Sequence, residues 1–239
     1  MKINYKIIKQ SIFLMMLIFV SGCSLTYYPK PAELERTVSL EEIDLFLDEL
    51  KSKTLEDYKL LSKLKISHRE TTENLRQSII YKGPNYLKIE LYPNNAFYVL
   101  SYLEISNNEF KFYNESEKKT YTGKYDDDTI LRFFKIRLDL EELSSLMLAQ
   151  IPLNWINRNN FTAYKDDNYK QLISSQNNLF ILLDSNNKLM QVQKFNDYNE
   201  KLEFKIEYLY NKTNYPSEIS IFYPKEKINL LLKVQKIVK

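Results

Sequence analysis

The chain has 239 residues, with 34 basic and 31 acidic side chains, one cysteine, one histidine and three glycines. Three of the basic residues, Lys2, Lys6 and Lys9, lie in the first nine positions, and the other 31 balance the 31 acidic residues. A balanced charge argues against nucleic acid or an anionic surface as the main partner, and so few glycines argue against a glycine-rich phosphate-binding loop.

The first 22 residues have the pattern of an export signal. The three lysines are followed by nine consecutive apolar residues, from Ile12 to Val20. A membrane-spanning helix needs about 20 apolar residues, whereas the apolar part of a signal peptide needs only ~7–15. We therefore expect residues 1–22 to be a signal peptide that is removed on export.

The single cysteine follows directly, in the sequence Val20-Ser21-Gly22-Cys23, which resembles the lipobox of bacterial lipoproteins. The resemblance implies cleavage before Cys23 and attachment of acyl chains to that residue, with no other cofactor. Two or more acyl chains hold a protein stably at a membrane. Residues 23–38 are then expected to be a lipidated tether. By the sorting rule of well-studied diderm bacteria, Ser24 in place of aspartate after the cysteine implies the outer membrane. We expect a lipid-anchored protein of the cell envelope that faces the periplasm, while the residues themselves leave the membrane and the face open.

In the first half of the remaining chain, the pattern predicts one helix followed by a meander of strands. Ser39 and Glu42 have capping-box spacing, and apolar residues then recur every three to four positions. From Tyr58 the apolar residues alternate with polar ones, which is typical of half-buried strands. Thr71 to Asn74 is a predicted hairpin turn and Gly83 to Asn85 another. Later strands are expected at Tyr86 to Tyr92, Phe97 to Ile105, Glu109 to Tyr113 and Lys118 to Gly123.

Two helices and a second set of strands are predicted in the second half. The helices begin at Thr129 and at Asp139, where Asp139 and Glu142 have N-cap spacing, and Pro152 is expected to end the second helix. Alternation then resumes, which gives roughly ten strands and three helices in all. The strands of this half are expected at 179–184, 189–195, 202–209, 218–223 and 228–234.

These elements predict one mainly β (α+β) domain over residues 39–239. Consecutive strands joined by short turns favour a single, strongly curved antiparallel sheet or an incomplete β-barrel. About three helices are expected to form a lid on one side. No composition break marks a second domain.

This order of elements resembles the LolA/LolB family of lipoprotein carriers and receptors. The similarity is carried by Tyr81 to Pro152, including the turn Gly83-Pro84-Asn85, and in outline by Ser217 to Lys239. With the lipobox, the LolB-like branch is the nearer match, because the carrier is a soluble periplasmic protein. The resemblance implies an incompletely closed barrel with a helical lid, whose apolar interior receives the acyl chains of other lipoproteins and passes them to the outer membrane.

An apolar interior of this kind would be lined by inward-facing residues of the strands and of the second predicted helix. The same side chains can also pack together into a filled core, so the sequence leaves both interpretations open. The residues concerned are Leu64, Ile66, Ile79, Leu87, Ile89, Leu91, Leu143, Leu146, Met147, Phe204 and Ile206.

One turn departs from the receptor branch. That branch exposes an apolar residue beside a proline, in the turn after its third strand, and uses it in membrane delivery. Here the turn reads Pro93-Asn94-Asn95-Ala96-Phe97, and asparagine stands where an apolar side chain is expected. Phe97 is the candidate for a substitute membrane contact, although the alternating pattern favours it as the first residue of a strand. Whether the turn around Asn94 retains receptor activity is left open.

No catalytic or metal-binding motif accompanies these patterns. His68 is the only histidine and has no Gly-x-Ser-x-Gly motif with it, so we interpret it as a surface or hairpin residue. The acidic run 126–128 lacks the spacing of a calcium loop, and its charge suits the start of a helix. Glu141 and Glu142 are interpreted as a solvated helix face. We therefore expect a protein that is not an enzyme and that binds no metal.

Two functions remain open from the sequence. The first is a membrane-anchored lipoprotein that binds acyl chains or lipoproteins in an apolar cavity and takes part in outer-membrane lipoprotein localisation. Its partners would be lipids, acylated lipoproteins and a periplasmic lipoprotein carrier. The second is a non-enzymatic envelope scaffold, or interaction lipoprotein, with a filled barrel. The two differ in whether the interior takes up lipid.

Overall fold

The computed structural model describes residues 36–51, 56–126, 128–134, 138–158, 161–174, 176, 178–196 and 201–239. By its contacts the chain divides into Met1–Glu33 and Leu34–Lys239, and all described residues belong to the second unit. The predicted signal peptide, Cys23 and most of the predicted tether lie outside the described residues.

Four helices and fourteen strands are present in the described part of the chain. The helices are α1 (Leu40–Lys51), α2 (Thr129–Phe134), α3 (Leu140–Met147) and α4 (Leu153–Arg158). The strands are β1 (Arg36–Thr37), β2 (Tyr58–His68), β3 (Thr71–Tyr81), β4 (Tyr86–Pro93), β5 (Ser101–Ser106), β6 (Glu109–Asn114), β7 (Lys119–Lys124), β8 (Thr162–Lys165), β9 (Tyr169–Ser174), β10 (Leu179–Asp184), β11 (Leu189–Phe195), β12 (Leu202–Tyr210), β13 (Pro216–Tyr223) and β14 (Ile228–Val238).

The strands form one antiparallel sheet made of two meanders. Strands β2 to β7 pair consecutively, as do β8 to β14, and β14 pairs with β2 to join the two halves. Strand β1 adds to β8. Within the described residues, β1 and β7 are the two ends of the sheet and do not meet, so the sheet is not closed. The predicted fold class, an antiparallel sheet or incomplete barrel with a few helices, is confirmed.

The sheet and the helices share one hydrophobic core. Along β4, Leu87 and Ile89 are buried while Lys88 and Glu90 lie on the opposite face and form an ion pair at 2.9 Å. The same cluster includes buried residues of α1, α3 and α4, so these helices pack on the inner face of the sheet. Among the described residues, no helix combines the length and the apolar character that crossing a membrane requires.

Two connections in the first meander differ from prediction. The predicted hairpin turn at Thr71 to Asn74 is wrong, because those residues belong to β3 and the turn is Arg69-Glu70, where Arg69 has a φ of +53°. The predicted strand start at Phe97 is also wrong, since β5 begins at Ser101. The turn at Gly83 is confirmed, and its φ of +67° is one that glycine adopts without strain.

The helical region confirms one prediction and corrects another. Asp139 Oδ1 accepts a hydrogen bond from Glu142 N at 2.8 Å, and Glu142 Oε2 accepts one from Asp139 N at 3.1 Å, which is a complete capping box. Pro152 does not end α3, which stops at Met147 before Ala149 takes a φ of +54°. Instead, Pro152 O accepts from Trp155 N at 3.1 Å and begins α4, a helix that the sequence pattern missed, as it missed β8 and β9.

Candidate functional site

A small apolar cavity lies between the inner face of the sheet and helix α3. Its volume is about 50 Å³. Both meanders contribute to it, because β2, β3 and β4 come from the first and β13 and β14 from the second. The lining residues are Leu64, Ile66, Gln77, Ile79, Ile89, Leu91, Leu143, Met147, Ile221, Leu230 and Leu232.

Seven of the eleven residues predicted from the sequence line this cavity. They are Leu64, Ile66, Ile79, Ile89, Leu91, Leu143 and Met147. The other four, Leu87, Leu146, Phe204 and Ile206, are buried elsewhere in the same core. Leu87 pairs with Tyr81 near the far end of β4, and the ring of Phe204 lies against Trp155 with 6.4 Å between centroids.

Four lining residues were not among the predicted set. Leu230 and Leu232 alternate along β14 and lie opposite Ile66 and Leu64, so the period of two in that strand was the available signal. Ile221 had the same signal along β13. Gln77 is the polar exception among the described lining residues, and its Oε1 accepts a hydrogen bond from Ser62 at 3.2 Å.

The apolar interior reaches the surface at one end of the sheet. Ile66, Leu75, Leu91 and Ile228 pack against the core but are only partly buried. Leu75 lies opposite Pro93 and Ile228 opposite His68, which places all four near the β2–β3 turn and the end of β4. The cavity therefore lies toward this end of the molecule.

Helix α3 covers the cavity and is attached to the sheet by two buried tyrosines. The Tyr58 hydroxyl donates to Ser144 O at 3.0 Å, and the Tyr208 hydroxyl donates to Leu146 O at 2.9 Å. Burial raises the pKa of both hydroxyls well above that of a free tyrosine. Both therefore remain protonated donors throughout the physiological range.

Helices α3 and α4 are joined by carboxylates. Trp155 Nε1 donates to Glu142 Oε1 at 2.6 Å, and Asn154 N donates to Glu141 Oε1 at 2.9 Å. The interpretation of Glu141 and Glu142 as a solvated face is therefore wrong, because both accept hydrogen bonds from α4. Burial raises the pKa of Glu142, the nearby Asp139 raises it further, and the bond from Trp155 acts in the opposite direction.

The loop between β4 and β5 presents two aromatic side chains to solvent. Phe97 is 91% exposed and Tyr98 is 56% exposed. Arg76 of β3 holds this loop, donating from Nε to Pro93 O at 3.3 Å and from its terminal nitrogen to Ala96 O. Its guanidinium also lies 5.0 Å from the centre of the Phe97 ring. These contacts explain why Phe97 does not begin a strand.

A second depression, of about 700 Å³, lies on the surface at the β11–β12 and β13–β14 connections. Its lining includes charged side chains, which do not suit an acyl chain. The described lining residues are Asn196, Lys201, Leu202, Glu203, Pro224, Lys225 and Glu226.

Among the described residues, the other side chains considered for catalysis or metal binding do not form a common site. His68 is exposed at the end of β2, beside the two-residue turn, as a hairpin residue would be. Asp126 accepts hydrogen bonds from Thr129 and Arg132 at the start of α2. In the described part of the chain, no group of three or more His, Cys, Asp or Glu side chains is arranged to hold a metal ion.

Comparison with known proteins gives a result for structure but none for sequence. No family model matches the chain, and no curated protein matches it. A LolA superfamily protein from Nitrosomonas europaea is similar in structure, with a TM-score of 0.54 and 9% identity over 84% of this chain and 93% of that one.

Two further solved structures agree with the first. An outer membrane lipoprotein-sorting protein domain from Vibrio parahaemolyticus has a TM-score of 0.53 at 12% identity, over 82% of this chain and 90% of that one. A DUF1329 family protein from Desulfovibrio piger has a TM-score of 0.53 at 10% identity, over 81% and 88%. The described part of the chain therefore has the LolA-like fold, a curved and open antiparallel sheet with helices on its inner face.

Proposed function

We propose that the protein is a lipid-anchored lipoprotein of the bacterial cell envelope that binds acyl chains in the apolar interior beneath α3. The acyl chains belong to lipids or to other lipoproteins, and the anchor is at Cys23. One observation carries the proposal: apolar side chains from both meanders and from α3 converge on a single cavity. The likeness in fold to an outer membrane lipoprotein-sorting protein domain supports the proposal, although one fold hosts many functions.

Binding requires a movement of α3. Pockets that enclose drug-sized ligands have volumes of ~300–1,000 Å³, whereas this cavity measures about 50 Å³. Leu143 and Met147 project from α3 into the space that an acyl chain would fill. Displacing the helix would expose the apolar side chains of the sheet that these two residues now cover.

The small cavity is also the observation that favours a second function. A scaffold with a filled interior would present its outer surface to partner proteins and would need no space inside. Such a protein has the same sheet and the same α3, but its interior excludes lipid. Lipid uptake therefore separates the two functions.

The deciding experiment uses residues 24–239, which lack the predicted signal peptide and the thiol that would be lipidated and which contain every described residue. The protein is purified without detergent, examined by native mass spectrometry, extracted for lipid and titrated with a fluorescent fatty acid. A bound acyl species or saturable uptake is the expected result. A ligand-free protein that takes up no fatty acid would contradict the proposal and favour the scaffold.

A matched pair of variants locates the uptake. Leu91 lines the cavity and is half-buried at its open end. We expect the larger side chain of Leu91→Trp to fill the space that an acyl chain would occupy. Fatty-acid binding should fall by about tenfold or more, because the ligand loses a buried apolar contact of that size. Leu209→Trp makes the same exchange at a position that is 52% exposed on β12 and should bind like the wild type. Equal binding by both variants would place the ligand elsewhere.

We further propose that the protein acts as a receptor that delivers acylated ligands to the membrane. The exposed loop carrying Phe97 and Tyr98 lies beside the end of β4, where Leu91 lines the open end of the cavity. Amphipathic and apolar aromatic side chains suit the boundary between water and lipid. We assign this loop to membrane contact during delivery, with a periplasmic lipoprotein carrier as the source of the acylated ligand.

A further inference from the structure

Helix α3 is attached to the sheet near its C-terminal end. The last four carbonyls of a helix have no partner within the helix itself. In α3, two of these carbonyls, those of Ser144 and Leu146, accept hydrogen bonds from the hydroxyls of Tyr58 and Tyr208, and Leu146 O also accepts one from Ala149 N at 3.1 Å in the turn after the helix. Both tyrosines are almost completely buried, so the two bonds are shielded from competing water.

The two tyrosines reach α3 from different parts of the sheet. Tyr58 is the first residue of β2, whereas Tyr208 lies on β12, and β13 and β14 separate these strands. The hydroxyl pair therefore connects the helix to both meanders across the line where they join. Neither tyrosine lines the cavity, so their effect on a ligand would be exerted through the helix.

The closed position of α3 also has an unfavourable component. Ser144 Oγ is buried and has no hydrogen-bond partner among the described residues. A buried hydroxyl without a partner loses its hydration and gains nothing in return. Water would reach this hydroxyl when the helix moves away, so Ser144 favours opening while the tyrosines oppose it.

We propose that Tyr58 and Tyr208 are positioning residues that hold α3 closed and set the rate at which acyl chains enter the cavity. This inference rests on the proposed function, because it concerns access to the same site. Each hydroxyl adds a buried hydrogen bond that exists only when the helix is closed, at Ser144 O from Tyr58 and at Leu146 O from Tyr208, beside the bond that Leu146 O also accepts from Ala149 N. In the open helix, water satisfies the carbonyl instead.

The test compares single-atom changes at three tyrosines in residues 24–239. Tyr58→Phe and Tyr208→Phe each remove one hydroxyl that contacts α3. Tyr210→Phe is the matched control, because its hydroxyl donates to Leu189 O at 2.8 Å within the sheet. Hydrogen exchange measured by mass spectrometry follows the amides of α3, and stopped-flow fluorescence follows fatty-acid entry.

We expect α3 amides to exchange about five- to tenfold faster in Tyr58→Phe and in Tyr208→Phe, the effect of one lost hydrogen bond, with a parallel rise in the entry rate. Tyr210→Phe should leave both rates unchanged. Ser144→Ala, which removes the unpartnered hydroxyl, should slow both. A cooperative thermal transition in every variant shows that the fold is retained.

The outcomes separate this inference from the proposed function. Unchanged exchange of α3 in both tyrosine variants, or equal acceleration in Tyr210→Phe, overturns the assignment of the two positioning residues. Faster exchange with an entry rate equal to that of the wild type overturns their control of access. Faster exchange without uptake by any protein overturns the proposed function and supports only the attachment of the helix.

Discussion

Glu142 is a partly buried acid that connects helix α3 to helix α4. Its carboxylate accepts from Trp155 at 2.6 Å and from the backbone of Asp139 at 3.1 Å. Burial raises its pKa above the ordinary value of 4.5. A carboxyl group with a raised pKa binds its proton more tightly in the folded state, so protonation adds stability at low pH that is lost as the pH rises through the folded-state pKa.

We expect Glu142→Gln to remove this contribution to the pH dependence. The side-chain amide still accepts from Trp155 but has no charge to bury, so the variant should lose less stability than the wild type as the pH rises from about 4.5 through the raised pKa of Glu142. It also loses one bond of the capping box at every pH, so the two slopes are compared rather than the absolute values. Urea unfolding at a series of pH values, followed by tryptophan fluorescence, measures them. Identical slopes would show that Glu142 does not titrate as described.

For individual residues, the sequence predicted the roles that depend on local spacing. The capping box at Asp139 and most cavity residues on β2, β3 and β4 follow from spacing alone. The roles of Tyr58 and Arg76 do not, because they depend on groups brought close by the fold. Tyr58 and Ser144 are 86 residues apart in the chain, and nothing near either one marks the bond between them.

Among the elements, the β4–β5 loop has the clearest link to function. Arg76 binds the carbonyl of Pro93 at the end of β4 and that of Ala96 in the loop, and it lies over the Phe97 ring, which remains 91% exposed. An aromatic side chain held in water has apolar area to gain from transfer to a lipid surface. The loop is therefore suited to a shallow membrane contact.

We expect Phe97→Ala to weaken binding to vesicles of phosphatidylethanolamine and phosphatidylglycerol by about ten- to a hundredfold, which corresponds to the ~1.5–3 kcal/mol of burying a large apolar side chain. Sedimentation of residues 24–239 with vesicles measures the change. Leu45→Ala is the control, since Leu45 of α1 is also highly exposed. If both variants bind as well as the parent chain, the loop makes no membrane contact.

Short elements and turns were the hardest to predict. The turn at Arg69-Glu70 contains neither glycine nor asparagine, so its left-handed residue gave no local signal. Helix α4 and strand β8 have only six and four residues, and such elements are stabilised mainly by the neighbours against which they pack. Strand β9 is as long as β6, but it buries the polar residues Gln171 and Ser174, which hide the apolar alternation of a strand. Longer elements such as β12 were predicted because their alternation extends over several pairs.

The whole molecule depends on the ladder between β14 and β2. It runs from Ile228 opposite His68 to Val238 opposite Lys59 and makes one continuous sheet of the two meanders. The core crosses this line as well, since Leu64 and Leu232 lie opposite each other and both line the cavity. The two halves should therefore unfold together.

Leu87→Ala tests this cooperativity. Leu87 is fully buried in the first meander, so its truncation should destabilise the protein by about 2–5 kcal/mol. The only tryptophan, Trp155, lies in α4 after the first meander has ended. Far-UV circular dichroism and Trp155 fluorescence should show the same shifted midpoint in urea. A fluorescence midpoint that stays at the wild-type value would mean that the halves unfold separately.

For the molecule as a whole, the alternation of apolar and polar residues predicted the class of fold but not the order of the strands in the sheet. Pairing of β14 with β2 joins segments from opposite ends of the described chain, and no local pattern specifies which distant edges will meet. The similarity to the LolA/LolB family supplied the expectation of an incomplete barrel, and the structural comparisons confirm that coarse arrangement. The volume of the interior depends on how α3 packs, which spacing alone does not give.

The two ends of the open sheet are unequal, and this has a consequence for how copies of the protein could stack. A filament formed by edge-to-edge pairing of copies needs two edge strands that match in length. Among the described residues, β1 has two residues and β7 has six. Symmetric antiparallel pairing of two β7 strands would set Lys119 of one copy opposite Lys124 of the other, and like charges directly opposite repel. Within the described residues, the short edge at β1 and the lysines of β7 therefore both disfavour the growth of filaments by strand pairing.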